Sequence, residues 1–189
     1  MSFTVCPRPR NAAATRGAIL DAASRRFSAE SYDDVGMRDI AREVGVDPAL
    51  ISRYFGSKEE LFAAVLDSCK NGGELMEGSR ADFGERVAHE LVYGPGNPCK
   101  LQGLLILLRS VASTKAMEIV RRGARERFYG PFEQWVGGDD GPVRARLASS
   151  LIMGMAVSRE VTGGFDLTPD QCELLYQRLA VTLQSVIDG

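Results

Sequence analysis

The chain has no apolar run near the roughly 20 residues that a membrane-spanning helix requires, and a stretch such as residues 104–108 is far too short. Its first ten residues carry no apolar core of the kind a secretory signal has, so the protein is expected in the cytoplasm. Histidine is nearly absent: the one present, His89, has no serine or cysteine partner in view. The four cysteines, Cys6, Cys69, Cys99 and Cys172, are scattered without a CxxC pair. That spacing offers no zinc site, and in a reducing compartment free thiols are expected. Neither a GxGxxG motif nor a P-loop occurs. No catalytic group, cofactor or metal is therefore expected, and an enzyme is the least supported class. An excess of charge of one sign is missing too. The net charge is −2 at pH 7, so the chain as a whole has no electrostatic footprint for nucleic acid, and a DNA-binding reading has to rest on local pattern.

What is present is helix. The 189 residues are 44% hydrophobic and 25% charged, enough for a globular chain with a sizeable core. No stretch alternates apolar and polar residues as a half-buried strand would. Gly- and Pro-rich breaks at residues 71–73, 94–98, 137–142 and 163–164 divide the remainder into helices. The fold class is all-α, with about nine helices in three parts. Residues 1–14 read as a flexible arm carrying Arg8 and Arg10, residues 15–66 as one domain, and residues 67–189 as a helical bundle.

The first domain is the most legible. Ile19, Ala23 and Phe27 make one buried stripe on a helix over residues 15–29. Met37, Ile40, Ala41 and Val44 repeat at amphipathic spacing and stop at Gly45, which suits a left-handed helix end. Asp47 is an N-cap and Pro48 a first helical residue, opening a short helix in which Ile51 and Phe55 point inward. Two short helices across a tight turn at residues 45–47 form a helix-turn-helix. Ser57 and Glu60 then form a capping box for a helix bearing Leu61, Phe62, Val65 and Leu66.

These residues carry a resemblance. The run Thr15-Arg16-Gly17-Ala18-Ile19-Leu20-Asp21-Ala22-Ala23, then Phe27, Met37-Arg38-Asp39-Ile40-Ala41, Gly45-Val46 and Tyr54-Phe55-Gly56-Ser57-Lys58-Glu59-Glu60-Leu61 resembles the N-terminal domain of the TetR family of repressors. The C-terminal part is loosely similar to a subfamily common in high-GC actinobacteria, with which scarce lysine and abundant arginine agree. One departure is Gly36, where the family has a Thr or Ser that caps the second helix and touches a phosphate.

The resemblance implies a three-helix helix-turn-helix domain that binds double-stranded DNA, with the helix from Pro48 in the major groove. Pro48, Ala49, Leu50, Ser52, Arg53 and Tyr54 then occupy DNA-contacting positions. Arg53 is the best base reader, because a guanidinium pairs bidentately with guanine. Ala49 and Leu50 offer apolar contact, and Ser52 a short hydroxyl. Lys58, at a helix N-terminus, and Arg16 and Arg38 are expected to hold phosphates. Arg25, Arg26 and Arg42 read as solvated charge, and Arg8 and Arg10 as either minor-groove contacts or solvated tail.

The bundle is expected as helices near residues 74–79, 82–92, 99–112, 114–136, 142–162 and 169–187, the last opened by Thr168, Pro169 and Gln171 as a capping box. The final two helices are apolar on more than one side, with Leu147, Leu151 and Met155 on one and Leu175, Leu179 and Leu183 on the other. A homodimer would cover these faces, and Gly154 and Ala156 would admit a close partner helix. Residues 104–109 are apolar nearly all round and expected to be deeply buried. Leu104, Leu105, Leu108 and Arg109, with Met117, Val120 and Phe128, are candidate walls of an effector pocket; plain core is the competing reading. The expected function is a ligand-responsive repressor on a palindromic operator, released by a small apolar or amphipathic effector. The rivals are a transcriptional activator and a ligand-binding adapter with a degenerate DNA head.

Overall fold

The computed structural model describes residues 12–68, 73–95 and 98–189. Arg8, Arg10, Cys6 and Cys69 lie outside the described residues. Among those described there is no strand. The helices are α1 (Ala12–Ala29), α2 (Met37–Val44), α3 (Pro48–Phe55), α4 (Lys58–Ser68), α5 (Phe83–Tyr93), α6 (Pro98–Ser110), α7 (Thr114–Ala124), α8 (Gly130–Val136), α9 (Gly141–Val161) and α10 (Pro169–Asp188). A π turn over Arg125–Tyr129 joins α7 to α8, so the two form one rod and the rods number nine among the described residues.

Two boundaries differ from the sequence expectation. Helix α1 starts at Ala12, not Thr15. Ala12, Ala13 and Ala14 are exposed and so show no apolar period, yet alanine has the highest helix propensity and extends the rod. The helix expected over residues 114–136 is broken in register by its π turn, where the Gly130 N–H reaches the carbonyl of Arg125. Pro131 has no N–H to complete an α-helical turn, and the added residue absorbs that loss. Between α4 and α5 only a short 3-10 turn, Gly73–Met76, forms.

Helices α1 to α4 close around Ile19, Ala22, Ala23, Phe27, Ile40, Ile51, Phe55, Leu61, Phe62 and Val65. Phe27 and Tyr32 stack and Phe62 meets both edge-on, with centroids 4.9–5.9 Å apart. Burying a ring of this kind stabilises by about 1.5–3 kcal/mol. The local signals hold: Gly45 is left-handed at φ 72°, the Asp47 side chain accepts from the Ala49 N–H at 2.7 Å, and Ser57 and Glu60 make a reciprocal capping box at 3.2 and 2.9 Å.

The bundle has its own core, built on Phe83, Val87, Ala88, Phe132, Val136, Ala145, Ala148, Leu179, Leu183 and Ile187. Helices α5 and α10 approach closely at Gly84, whose N–H donates to Gln184 at 2.9 Å and where a Cβ would collide with the Ala180 carbonyl. The buried Arg144 and the exposed Arg80 both donate to the Ile187 carbonyl, at 2.6 and 3.0 Å, and so finish the end of α10. Ile106, Ala116 and Ile119, from α6 and α7, belong to the core of the first four helices and not to the bundle core.

Three expectations need correction. Within residues 104–108 only Ile106 is fully buried; Leu104 and Leu105 are half-buried and Leu108 is 58% exposed. Helix α6 packs one face on α1, which buries only that side. Arg109 is exposed and donates to the Ser28 carbonyl at 2.7 Å, serving the end of α1 instead of a pocket. Finally, Leu179 and Leu183 are buried inside one subunit against α5. The apolar residues that α9 and α10 leave exposed are Val143, Leu147, Met153 and Val161, and Leu174 and Val181. Leu151, Met155 and Leu175 are half-buried against the bundle core. That both helices are apolar on more than one side was legible; which side their own subunit would cover was not.

Candidate DNA-binding surface

Helix α3 is held by its inward residues Ile51 and Phe55 and offers the rest outward. Pro48, Ala49, Ser52 and Arg53 are exposed, and Leu50 and Tyr54 are half-buried. Tyr54 packs against the head core. Arg53 and, on α2, Arg38 are exposed and have no ion pair or hydrogen bond of their side chains among the described residues. Both guanidiniums are thus available to an anion or a base edge. Arg16 is placed differently. Its guanidinium carbon lies 4.6 Å above the Phe55 ring, so the charge rides on α3 from α1.

The other arginines of the head are spoken for. Arg25 and Arg26 both bind the Glu43 carboxylate at 2.9 Å, and Arg26 also bridges Glu30. These bonds, led by Arg25, hold the Glu43 carboxyl below the usual carboxylate range. The Arg25 and Arg26 bonds to Glu43 tie α1 to α2. Arg42 pairs with Asp39 at 3.1 Å. At Gly36 the backbone is extended and no side chain caps α2. The Asp39 carboxylate stands there instead, 2.5 Å from where a Cβ on Gly36 would be. A negative group over that helix end disfavours a phosphate there.

Lys58 begins α4, half-buried, with Nζ 4.5 Å over the Tyr32 ring and 3.4 Å from the Asp33 carbonyl oxygen. Burial lowers its pKa, while the charges of Asp33 and Glu59 act the other way. Tyr32 is a residue the sequence did not reveal. It sits in a polar run, Ser31-Tyr32-Asp33-Asp34, yet is buried, and burial, then Glu59 and Asp33, push its hydroxyl up to about 12. The only early signal is an aromatic residue just beyond the end of an apolar stripe.

A small helical head with two unpaired arginines and a helix α3 whose outward residues are exposed suits a DNA groove. Comparison with known proteins agrees. The pattern of the family described as "Bacterial regulatory proteins, tetR family" matches residues 19–65. That of "Tetracyclin repressor-like, C-terminal domain" matches residues 81–187, more than half of the chain. The chain belongs to the TetR family. TetR-family membership makes it a helix-turn-helix transcriptional regulator and not an enzyme. The regulator BetI of Rhizobium meliloti is 47% identical over 53 residues, which are 28% of this chain and 26% of BetI. An uncharacterized helix-turn-helix regulator of Haemophilus influenzae is 39% identical over 54 residues, 28% of this chain and 26% of its own. The match thus spans about a quarter of the length of these relatives.

Whole-chain similarity appears in solved structures. NalD, the secondary repressor of the MexAB-OprM multidrug efflux pump in Pseudomonas aeruginosa, superposes with a TM-score of 0.68 at 21% identity, covering 89% of this chain and 96% of NalD. SmeT, solved in complex with triclosan, gives 0.63 at 19% identity over 93% of this chain and 90% of SmeT. These likenesses show the TetR-family fold.

Proposed function

We propose that this TetR-family protein is a repressor that binds a palindromic operator as a homodimer in the cytoplasm and lets go when a small apolar or amphipathic effector binds. The observation that carries the reading is the surface of α3, where Pro48, Ala49, Ser52 and Arg53 are exposed on a head whose inner faces are fully packed. Arg53 reads a guanine, the apolar residues meet a thymine methyl, and Arg16, Arg38, Tyr54 and Lys58 set the register on phosphates. The free Arg38 and Arg53 weigh against a degenerate head that has lost DNA.

A second copy covers the exposed apolar residues of α9 and α10. Val143, Leu147, Gly154, Val157 and Val161 recur at helical spacing on one side of α9, and Leu174 and Val181 on one side of α10. Two shallow grooves, one around Met153 and Val157 and one around Val181, lie on these same faces. A two-fold pair places two α3 helices about one DNA turn apart, about 34–36 Å, or somewhat more.

The effector site lies between the two cores. Helices α6 and α7 are anchored to the head by Ile106, Ala116 and Ile119, while α8 to α10 share the bundle core. Leu104, Leu105, Met117, Val120 and Phe128 are half-buried, Val120 against the core of the first four helices and Phe128 against the bundle core. A ligand that parts the two cores moves α6 and α7, and with them the head. That the related SmeT was solved with triclosan supports a small, largely apolar ligand.

Selection from random duplexes with the full-length protein tests the reading. An enriched inverted repeat is the expected result; enrichment of no sequence, or of a single unrepeated site, overturns it.

A further inference from the structure

The α6–α7 corner touches the head at the place where Lys58 sits. Ser113, 2% exposed, accepts the Ala116 N–H at 3.3 Å as the N-cap of α7. Its hydroxyl donates to Asp33 Oδ1 at 3.1 Å, in the loop between α1 and α2. Two residues further on, Lys115 is ion-paired with Glu59, the neighbour of Lys58 on α4. Asp33 and Glu59 are also the acids whose charges act most on the Lys58 ammonium, with Asp34 acting more weakly. The corner engages both carboxylates, one oxygen of Asp33 and, together with Ser57, that of Glu59, and Lys58 is left with a carbonyl and a ring, both weak partners compared with a carboxylate.

We propose that Ser113 and Lys115 are positioning residues for DNA binding: by engaging Asp33 and Glu59 they keep those carboxylates off Lys58, and when the corner withdraws the two acids capture the ammonium and remove it from the DNA backbone. The proposal rests on Lys58 being a phosphate contact. It adds a hand-off of charge to any movement of the heads, and it needs only a side-chain shift. A corner displaced by enough to break one hydrogen bond and one ion pair turns two satisfied acids into competitors for one lysine. A phosphate and a carboxylate bind an ammonium by the same charge-assisted bond, so the local acids compete with DNA on equal chemical terms.

The experiment measures the affinity of the full chain for a fluorescein-labelled mixed-sequence duplex over a series of salt concentrations. Ser113→Ala and Lys115→Gln together should weaken binding about fivefold and reduce the salt slope by about 0.9, the share of one phosphate contact. Adding Asp33→Asn and Glu59→Gln removes the competing acids and should restore the slope. In a Lys58→Ala background the corner substitutions should change nothing further. Ser113→Thr keeps both the donor and the helix cap and should bind as the parent chain does, where Ser113→Ala alone is weakened. An unchanged slope in the double variant overturns the proposal, as does equal weakening with and without Lys58. Lys58→Ala alone reports on the underlying reading: if it leaves both affinity and slope unchanged, Lys58 holds no phosphate and the proposal falls with that assignment.

Discussion

At the scale of single residues, the head divides its cations by what they already hold. Arg25, Arg26 and Arg42 are paired within the protein, whereas Arg38 and Arg53 face solvent unpaired. An arginine that must leave an internal carboxylate loses one charge-assisted bond for each it gains, so under the proposed reading the free ones are expected to dominate recognition. Arg53→Ala is expected to flatten sequence preference, costing about 1–3 kcal/mol on the selected duplex and little on random DNA. Lys58→Ala should weaken every duplex alike and lower the salt slope by about one. Binding of both variants to selected and scrambled duplexes at several salt concentrations checks this, and matching profiles for the two would refute the assigned roles. Residues such as Asp47, Ser57 and Gly45 were readable because a cap bonds to backbone two or three positions away. Tyr32 and Glu43 were not, because their partners, Phe62 and Arg25, are brought near only by folding.

At the scale of helices, the contact between α4 and α7 joins the head to the rest. Lys115 holds the Glu59 carboxyl down to about 2, from an ordinary value of 4.5. Because the folded value lies below the unfolded one, this pair adds stability above pH about 4.5 and loses it as the pH falls toward 2. Glu59→Gln removes the titrating group. Its melting temperature should therefore fall less between pH 4.5 and 2 than that of the parent chain, while the two share the same trend above pH 5. Parallel melting curves across the acid range would show that the pair does not couple the helices. The start of α1 and the π turn before α8 carry the lesson about elements. Periodicity placed nearly every helix, but exposed alanines have no period to read, and the single helix expected over residues 114–136 ran straight through Pro131.

For the whole molecule, the decisive matter is which side of α9 and α10 faces inward. Leu183 is fully buried against α5, while Leu147 and Val181 are 55% and 71% exposed. Leu183→Ala should cost about 2–5 kcal/mol in unfolding free energy and leave the mass of the proposed dimer unchanged. Leu147→Glu with Val181→Glu should instead yield a folded monomer by light scattering and abolish binding to an inverted repeat at equal concentration. A double variant that stays dimeric would move the interface elsewhere.

The sequence by itself determined the all-α class, the helix-turn-helix and its caps, because each depends on residues within a few positions of one another. It also marked α9 and α10 as having apolar surface to spare. Tertiary structure alone decided where that surface goes. It gave Leu179 and Leu183 to α5, turned Arg109 to the end of α1, and brought Ser113 and Lys115 onto the acids beside Lys58. The physical reason is common to all three. A side chain's partner is set by the packing of helices distant in the chain, and a helix with two apolar stripes carries no local mark of which one its own subunit will cover.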